Sequence, residues 1–158
     1  MTTDEPRTKA ATWHIEYEHA MGEIAQEFFE RVKEEGKLYG RYAPGSDRVL
    51  IPPRSFCDQS HSETTEWREV SDEGEIHSIT VQHYSYEGLP EPPIAMIRVD
   101  LDGADTGLLH WADGDDLDLE DPDVVRDELS VGTRVKAVWK PPEERTGDIT
   151  DIEYFEPV

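Results

Sequence analysis

The chain has 158 residues and a net charge of −22, from 37 acids against 15 bases, with a pI near 4.4. That length supports one domain with a sizeable core, or a small domain plus an arm. The balance leaves no basic face to neutralise phosphates, which argues against nucleic acid as a partner. No apolar run reaches the length of a membrane span, and the N-terminus lacks the basic-then-apolar layout of a signal peptide. One cysteine allows no internal disulfide, so a reducing, cytoplasmic setting is expected. Five bases are lysines (9, 33, 37, 136, 140) and ten are arginines. An acidic, lysine-poor surface suits a salt-loaded cytoplasm, where at about 1 M salt the Debye length falls to ~3 Å and self-repulsion is screened. An acidic mesophilic protein is the alternative. Four Trp, six Tyr and several alternating apolar runs speak against a disordered acidic chain.

Residues 1–11 are polar, contain Pro6, and read as a mobile tail. From Trp13 to Met21, Trp13, Tyr17 and Met21 fall at i, i+4 and i+8, which predicts a helix with an aromatic face. Gly22 permits a bend. Ile24, Phe28 and Val32 repeat the spacing, Glu27 and Arg31 form an i,i+4 pair, and Gly36 is a ready stop. This helical arm, residues 1–38, packs either on the chain's own β-domain or on another subunit, with Trp13, Tyr17, Met21 and Phe28 as the partner-binding candidates.

Residues 39–65 have the outline of a rubredoxin-like zinc ribbon. Such a ribbon uses two tight turns, each offering two thiolates two residues apart. Here the spacing survives at Ala43 and Ser46 and again at Cys57 and Ser60, but three of the four positions carry no thiol. A methyl group and unactivated hydroxyls do not replace thiolates on zinc, so the expectation is a degenerate ribbon that has lost its ion.

Residues 66–158 change to period two. Strands are expected at 66–70, 75–84, 94–101, 106–111, 131–140 and 149–155. A Ser71-Asp72-Glu73-Gly74 turn separates the first two, and Asp102–Asp105 joins the third to the fourth. In the third strand Ala95, Ile97, Val99 and Leu101 share one face. In the fifth, Val131, Thr133, Val135, Ala137 and Trp139 are assigned inward, with Arg134 and Lys136 outward. Five or six short strands with no helical period between them predict a mainly β fold built on an OB-type barrel, with an SH3-like barrel or a small sandwich as alternatives. The nine acids of 113–128 fail the EF-hand template, since its fifth and sixth positions would be Leu117 and Asp118; the segment is expected to be a solvated loop.

Cys57 with His61 could form half of a metal site, and a thiol near a histidine could be a nucleophile. A relic ligand or a small buried hydrophobe accounts for the same residue. No Gly-rich phosphate loop and no G-x-S-x-G are present, and the carboxylates are too many to single out an acid–base pair. No catalytic residues emerge. Arg41, Arg54, Arg134 and Lys136 are rare cations on this surface and are candidates for phosphate or carboxylate contacts, with ordinary ion pairing as the alternative.

Several stretches together resemble a known family, the small acyl-CoA-associated proteins that join a zinc ribbon to an OB-fold. They are Phe28–Leu38 with Gly36-Lys37-Leu38, Arg41-Tyr42, Val49–Arg54 ahead of Cys57, Trp67, Gly74, Ser78–Val81, Pro93, Leu101–Ala104 and Gly132–Val135. The resemblance covers about 13–158, and Pro52-Pro53-Arg54 before the second turn is its most specific part. It implies a non-catalytic subunit that binds a thiolase-fold catalytic chain and helps hold or pass CoA or acyl-CoA. With the acidic surface it points to the small subunit of a haloarchaeal β-ketothiolase (acetyl-CoA acetyltransferase), serving polyhydroxyalkanoate or mevalonate synthesis. The alternatives are an accessory subunit of a hydratase or lyase, or a stand-alone OB-fold binding module. The missing ligands put the family's zinc in question here.

Overall fold

The computed structural model describes residues 8–158 except 11, 13, 14, 19, 87, 88, 115 and 116. Helix α1, Glu23–Glu35, buries Phe28 and Val32 one turn apart, so its apolar side faces the core. It ends at Gly36, which adopts φ 62°, a conformation that favours glycine, and returns its N–H to the Val32 carbonyl. The helix expected over 13–21 is not found at the described residues 15–18 and 20–22. Ile15 and Tyr17 are 63% and 76% exposed there. The apolar residues 13, 15, 17 and 21 also fit period two. They are aromatic or β-branched for the most part, weak helix formers, and isolated short helices gain little without a surface to pack on.

A three-stranded antiparallel sheet follows, ordered β2-β1-β3, from β1 (Leu38–Ala43), β2 (Arg48–Leu50) and β3 (Trp67–Val70). The remaining strands are β4 (Glu73–Gln82), β5 (Ile94–Leu101), β6 (Gly107–Ala112), β7 (Arg134–Trp139) and β8 (Ile152–Pro157). They close a barrel in the order β4-β5-β6-β8-β7, with β6 and β8 parallel. The barrel is mainly antiparallel and mixed at that one seam, which selects an OB-fold over a sandwich. The alternation read in β5 holds: Ala95, Ile97, Val99 and Leu101 are all buried. A bulge between Ile76 and Ser78 shifts the phase of β4, so Ile79 and Val81, not their neighbours, stand opposite the buried Ile97 and Ala95. At Gly74 a Cβ would collide with the Asp100 and Leu101 backbone, so glycine permits the close packing of β4 on β5.

Two other readings are corrected. Val131 is exposed, because β7 begins only at Arg134, after the Gly132 turn at φ 91°. The acidic segment is not all loop: Pro122–Glu128 forms a short helix, α2. Asp121 caps it by accepting the Asp123 N–H at 2.9 Å, Pro122 supplies a preset first turn, and the buried Leu129 anchors its end.

One apolar core runs through the whole architecture, joining Phe28 and Val32 of α1 to Leu38, Val49 and Val70 of the sheet and to the barrel interior. The ribbon-like hairpin is also pinned by polar contacts. Val49 N–H reaches the Asp105 carboxylate at 2.7 Å, and Ile51 N–H reaches the Thr106 hydroxyl at 2.7 Å. That hydroxyl in turn donates to the Ile51 carbonyl at 2.6 Å. None of the described helices is long and apolar enough to cross a membrane.

Candidate functional site

The two ribbon turns do meet. In the first, Ser46 N–H bonds back to the Ala43 carbonyl at 3.2 Å; in the second, His61 N–H bonds back to Cys57 at 3.0 Å. Gly45 presses the turns together, since a Cβ on it would lie 2.7 Å from the Ser62 hydroxyl and 2.8 Å from the Ser60 Cβ. Ala43 and Cys57 pack with Leu50 in a small cluster of their own, and the thiol-bearing residue is 0% exposed. The Ser46 hydroxyl lies 3.2 Å from the Cys57 sulfur, and Ser60 bonds to Ser62 at 2.8 Å.

This donor set does not fit zinc. It offers one thiol, one methyl and two hydroxyls, where a structural tetrahedral ion takes four thiolate or imidazole ligands. Among the described residues, no group of three or more His, Cys, Asp or Glu stands where it could hold a metal. Hydrogen bonds occupy the space instead. They bring the Cys57 thiol down to about 6, first through the Ser46 hydroxyl and then through Ser60, against the opposing effect of burial. A thiolate of that kind is a potential nucleophile, but here a fully enclosed sulfur meets no substrate. His61 shares the turn, at φ 52°, and its ring packs 5.9 Å from that of Phe56.

The four cations singled out from the sequence fall into two sets, and all four are engaged within the chain. Arg41 donates to the Thr64 carbonyl at 3.0 Å and lies over the Trp67 ring, while Arg54 faces Asp58 at 3.6 Å. On the barrel, Arg134 grips Asp102 through two bonds of 2.9 and 2.7 Å, and Lys136 meets Glu73 at 3.1 Å. Those pairings hold Arg134 and Lys136 above their ordinary values and Asp102 below its own. A CoA phosphate would therefore have to displace a carboxylate at Arg54, Arg134 or Lys136, and the Thr64 contacts at Arg41.

Of the partner-binding candidates, Tyr17 and Met21 are exposed and Trp13 lies outside the described residues. Phe28 is corrected: it is 3% exposed and belongs to the core, as an i+4 neighbour of Val32 must when that face of α1 packs inward. The sequence reading missed the outer face of β6. Leu108 and His110 point inward, so Leu109 points outward and is 63% exposed. Beside it lies an apolar hollow of about 270 Å³, where Phe29 of α1, Pro52 and Pro53 of the ribbon and Ile149 of the barrel meet. The alternation of 107–112 contained this signal.

His110 is buried, and burial drives its pKa down against weak help from backbone carbonyls. Asp151 is buried as well. Burial alone would raise it, but the N–H groups of Thr146 and Gly147, at 2.8 Å each, outweigh that and hold it low. His110 ties β6 to Ile149 ahead of β8, and Asp151 closes the 146–151 turn that leads into β8.

Comparison with known proteins agrees with this geometry. Residues 67–140 match the family described as the C-terminal OB-fold domain of ChsH2. The barrel is an OB-fold. Two solved structures resemble the chain over most of its length. One, titled an Ltp2-ChsH2(DUF35) aldolase, has 19% identity and a TM-score of 0.59, covering 81% of this chain and 92% of that one. The other is a protein of unknown function from the DUF35 family of Sulfolobus solfataricus, with 23% identity and a TM-score of 0.55, covering 74% and 78%. At these identities the likeness establishes the fold. No curated protein matches the chain.

Proposed function

We propose that this chain is a non-catalytic accessory subunit of an acyl-CoA-processing enzyme. The observation that carries the reading is the sealed thiol: Cys57, the one cysteine, is enclosed in a turn pair that lacks a zinc ligand set, in a chain whose described residues show no metal-holding cluster. The reactive groups then belong to a companion. Support comes from the barrel's match to the ChsH2 OB-fold domain and from a structural neighbour that is named together with a second protein, Ltp2, as an aldolase.

In its specific form, the proposal is that the companion is a thiolase-fold chain and that the complex is a haloarchaeal β-ketothiolase joining acetyl-CoA to another acyl-CoA. Trp13, Tyr17, Met21 and the hollow beside Leu109 supply apolar docking area. Arg54, Arg134 and Lys136 exchange their internal carboxylates, and Arg41 its Thr64 carbonyl, for CoA phosphates or for acids of the partner. The ribbon carries no zinc. A second reading keeps the accessory role but pairs the chain with a carbon–carbon lyase, and the aldolase neighbour favours it.

Affinity purification from the source cells at high salt tests the proposal. A thiolase-fold protein recovered in stoichiometric amount, with thiolysis in the complex and none in the isolated chain, is the expected result. A lone monomer overturns the accessory role. A stoichiometric lyase partner with retro-aldol activity decides for the second reading.

A further inference from the structure

The barrel leaves one end of its interior uncovered. Beyond the bulge in β4, Ile79 and Val81 lie on the inward face opposite buried residues of β5, yet both remain half-buried. They form one wall of a cleft of about 380 Å³, and Leu119 before α2, Val125 within it and Leu129 at its end form the other. That volume falls within the usual range for binding clefts, about 300–1,000 Å³. Helix α2 is seven residues long and buries none of its own side chains, so it roofs the opening without plugging it.

Acids dominate the surface around α2, while Glu120, Arg126 and His83 are the titratable groups that line the cleft itself. Asp118, Glu120, Asp121, Asp123, Asp127 and Glu128 are all exposed around the roof. Arg126 is the one cation in that stretch, and it is held by Asp123 at 2.8 Å and Asp127 at 3.0 Å. An anionic ligand would place its charge against these carboxylates. A second copy of this chain would bring another surface from a molecule of charge −22. Both meet repulsion from the surrounding acids, whereas an apolar side chain flanked by Lys or Arg meets an apolar cleft and a mostly acidic surround.

We propose that this cleft receives a basic amphipathic helical segment of another polypeptide, one apolar anchor entering between β4 and α2 and flanking cations meeting the acidic rim. This is the helix-in-groove mode, with the anchor supplying affinity and the charges setting partner and register. In concentrated salt the rim acts at contact range only, so the apolar anchor carries most of the binding. Placing that segment on a catalytic companion rests on the accessory-subunit reading; the cleft's chemistry does not.

The test uses the full chain in the salt that keeps it folded, with fluorescein-labelled Leu/Lys peptides of i, i+3, i+4, i+7 leucine spacing and with Ser/Lys peptides of equal charge. Fluorescence anisotropy is expected to show Leu/Lys binding that weakens about tenfold in Val81→Gln and Val125→Gln, as loss of an anchor contact does. Glu30→Gln/Glu34→Gln, on the acidic side of α1, should leave it within about twofold. On the wild-type chain, amide shift changes should centre on 79–83 and 119–130, a readout that stands even if a cleft variant unfolds. Equal binding of the Ser/Lys peptide, shift changes centred elsewhere, or indifference to the folded cleft variants would overturn the proposal. Peptide binding at the cleft together with a lone monomer from the source cells would sink the accessory-subunit reading and leave the cleft intact.

Discussion

The ribbon and the barrel solve the same problem in different ways. The barrel is held by a continuous apolar interior and closes on itself, so its strands have no need of a staple. The turns at 43–46 and 57–60 have a separate core of three small or medium residues, Ala43, Leu50 and Cys57, joined by a contact between one hydroxyl and one thiol. What keeps the ribbon in place is its seam with the barrel, through Asp105 and Thr106. These bonds to the barrel constrain the turns independently of any ion.

Removing salt tests both regions at once. At −22, transfer from molar salt to dilute buffer is expected to abolish the cooperative melt, by lengthening the screening distance from about 3 Å to about 30 Å. A sharp melting transition that persists unchanged in dilute buffer contradicts this. Next in size is the barrel core. Phe155→Ala should cost about 3–5 kcal/mol by denaturant melting, with loss of structure across the whole chain, since that ring lies in the shared interior.

Gly45→Ala confines the damage to the ribbon. Its Cβ must push Ser60 and Ser62 aside, costing about 1–3 kcal/mol and opening Cys57 to a thiol reagent that the wild-type fold excludes. Equal thiol reactivity in the two proteins would show that Gly45 does not seal the turns.

The pH responses separate the regions further. His110 and Asp151, at the barrel seam, are both held below their ordinary values of 6.5 and 3.8. A lowered group binds its proton more tightly in the unfolded chain, so the stability it contributes is present above the ordinary value and lost on acidification. Melting temperature should therefore fall below pH 6.5 and again below pH 3.8, and Asp151→Asn should reduce the second step, with Asp102 and Glu27, also held low, supplying the rest.

In the ribbon, the thiolate absorbance of Cys57 should titrate near 6 rather than 9.0. By the same sign rule, its contribution to stability fades as pH falls from 9 towards 6. Ser46→Ala should move the titration upward with the smallest change in stability of the series, because Ser46 is the leading cause of the shift. An unmoved titration in that variant would assign the effect to Ser60.

Local chemistry wrote much of this into the chain. The i, i+4 spacing of Phe28 and Val32 with Gly36 beyond them specified α1, and strict alternation from Ala95 to Leu101 specified the buried face of β5. The two turn pairs, 43–46 and 57–60, were visible as spacing, as was the poverty of their ligands. At 13–21, periods of 3.6 and 2 both fit, and weak helix formers without a packing surface told against the helix. The Asp121-Pro122 start of α2 was present but was masked by the weight of acids around it.

Tertiary structure decided the rest. Strand alternation says which residues share a face, but barrel closure says which face is inside, and the bulge after Ile76 alters that assignment midway along β4. Charge counts marked Arg134 and Lys136 as rare cations, whereas only the folded register of β4 against β7 sets them beside Glu73 and Glu75. Sequence fixes what each short segment prefers because those preferences act over a few bonds. Which carboxylate meets which guanidinium, and which thiol is sealed, depends on residues brought together from far along the chain.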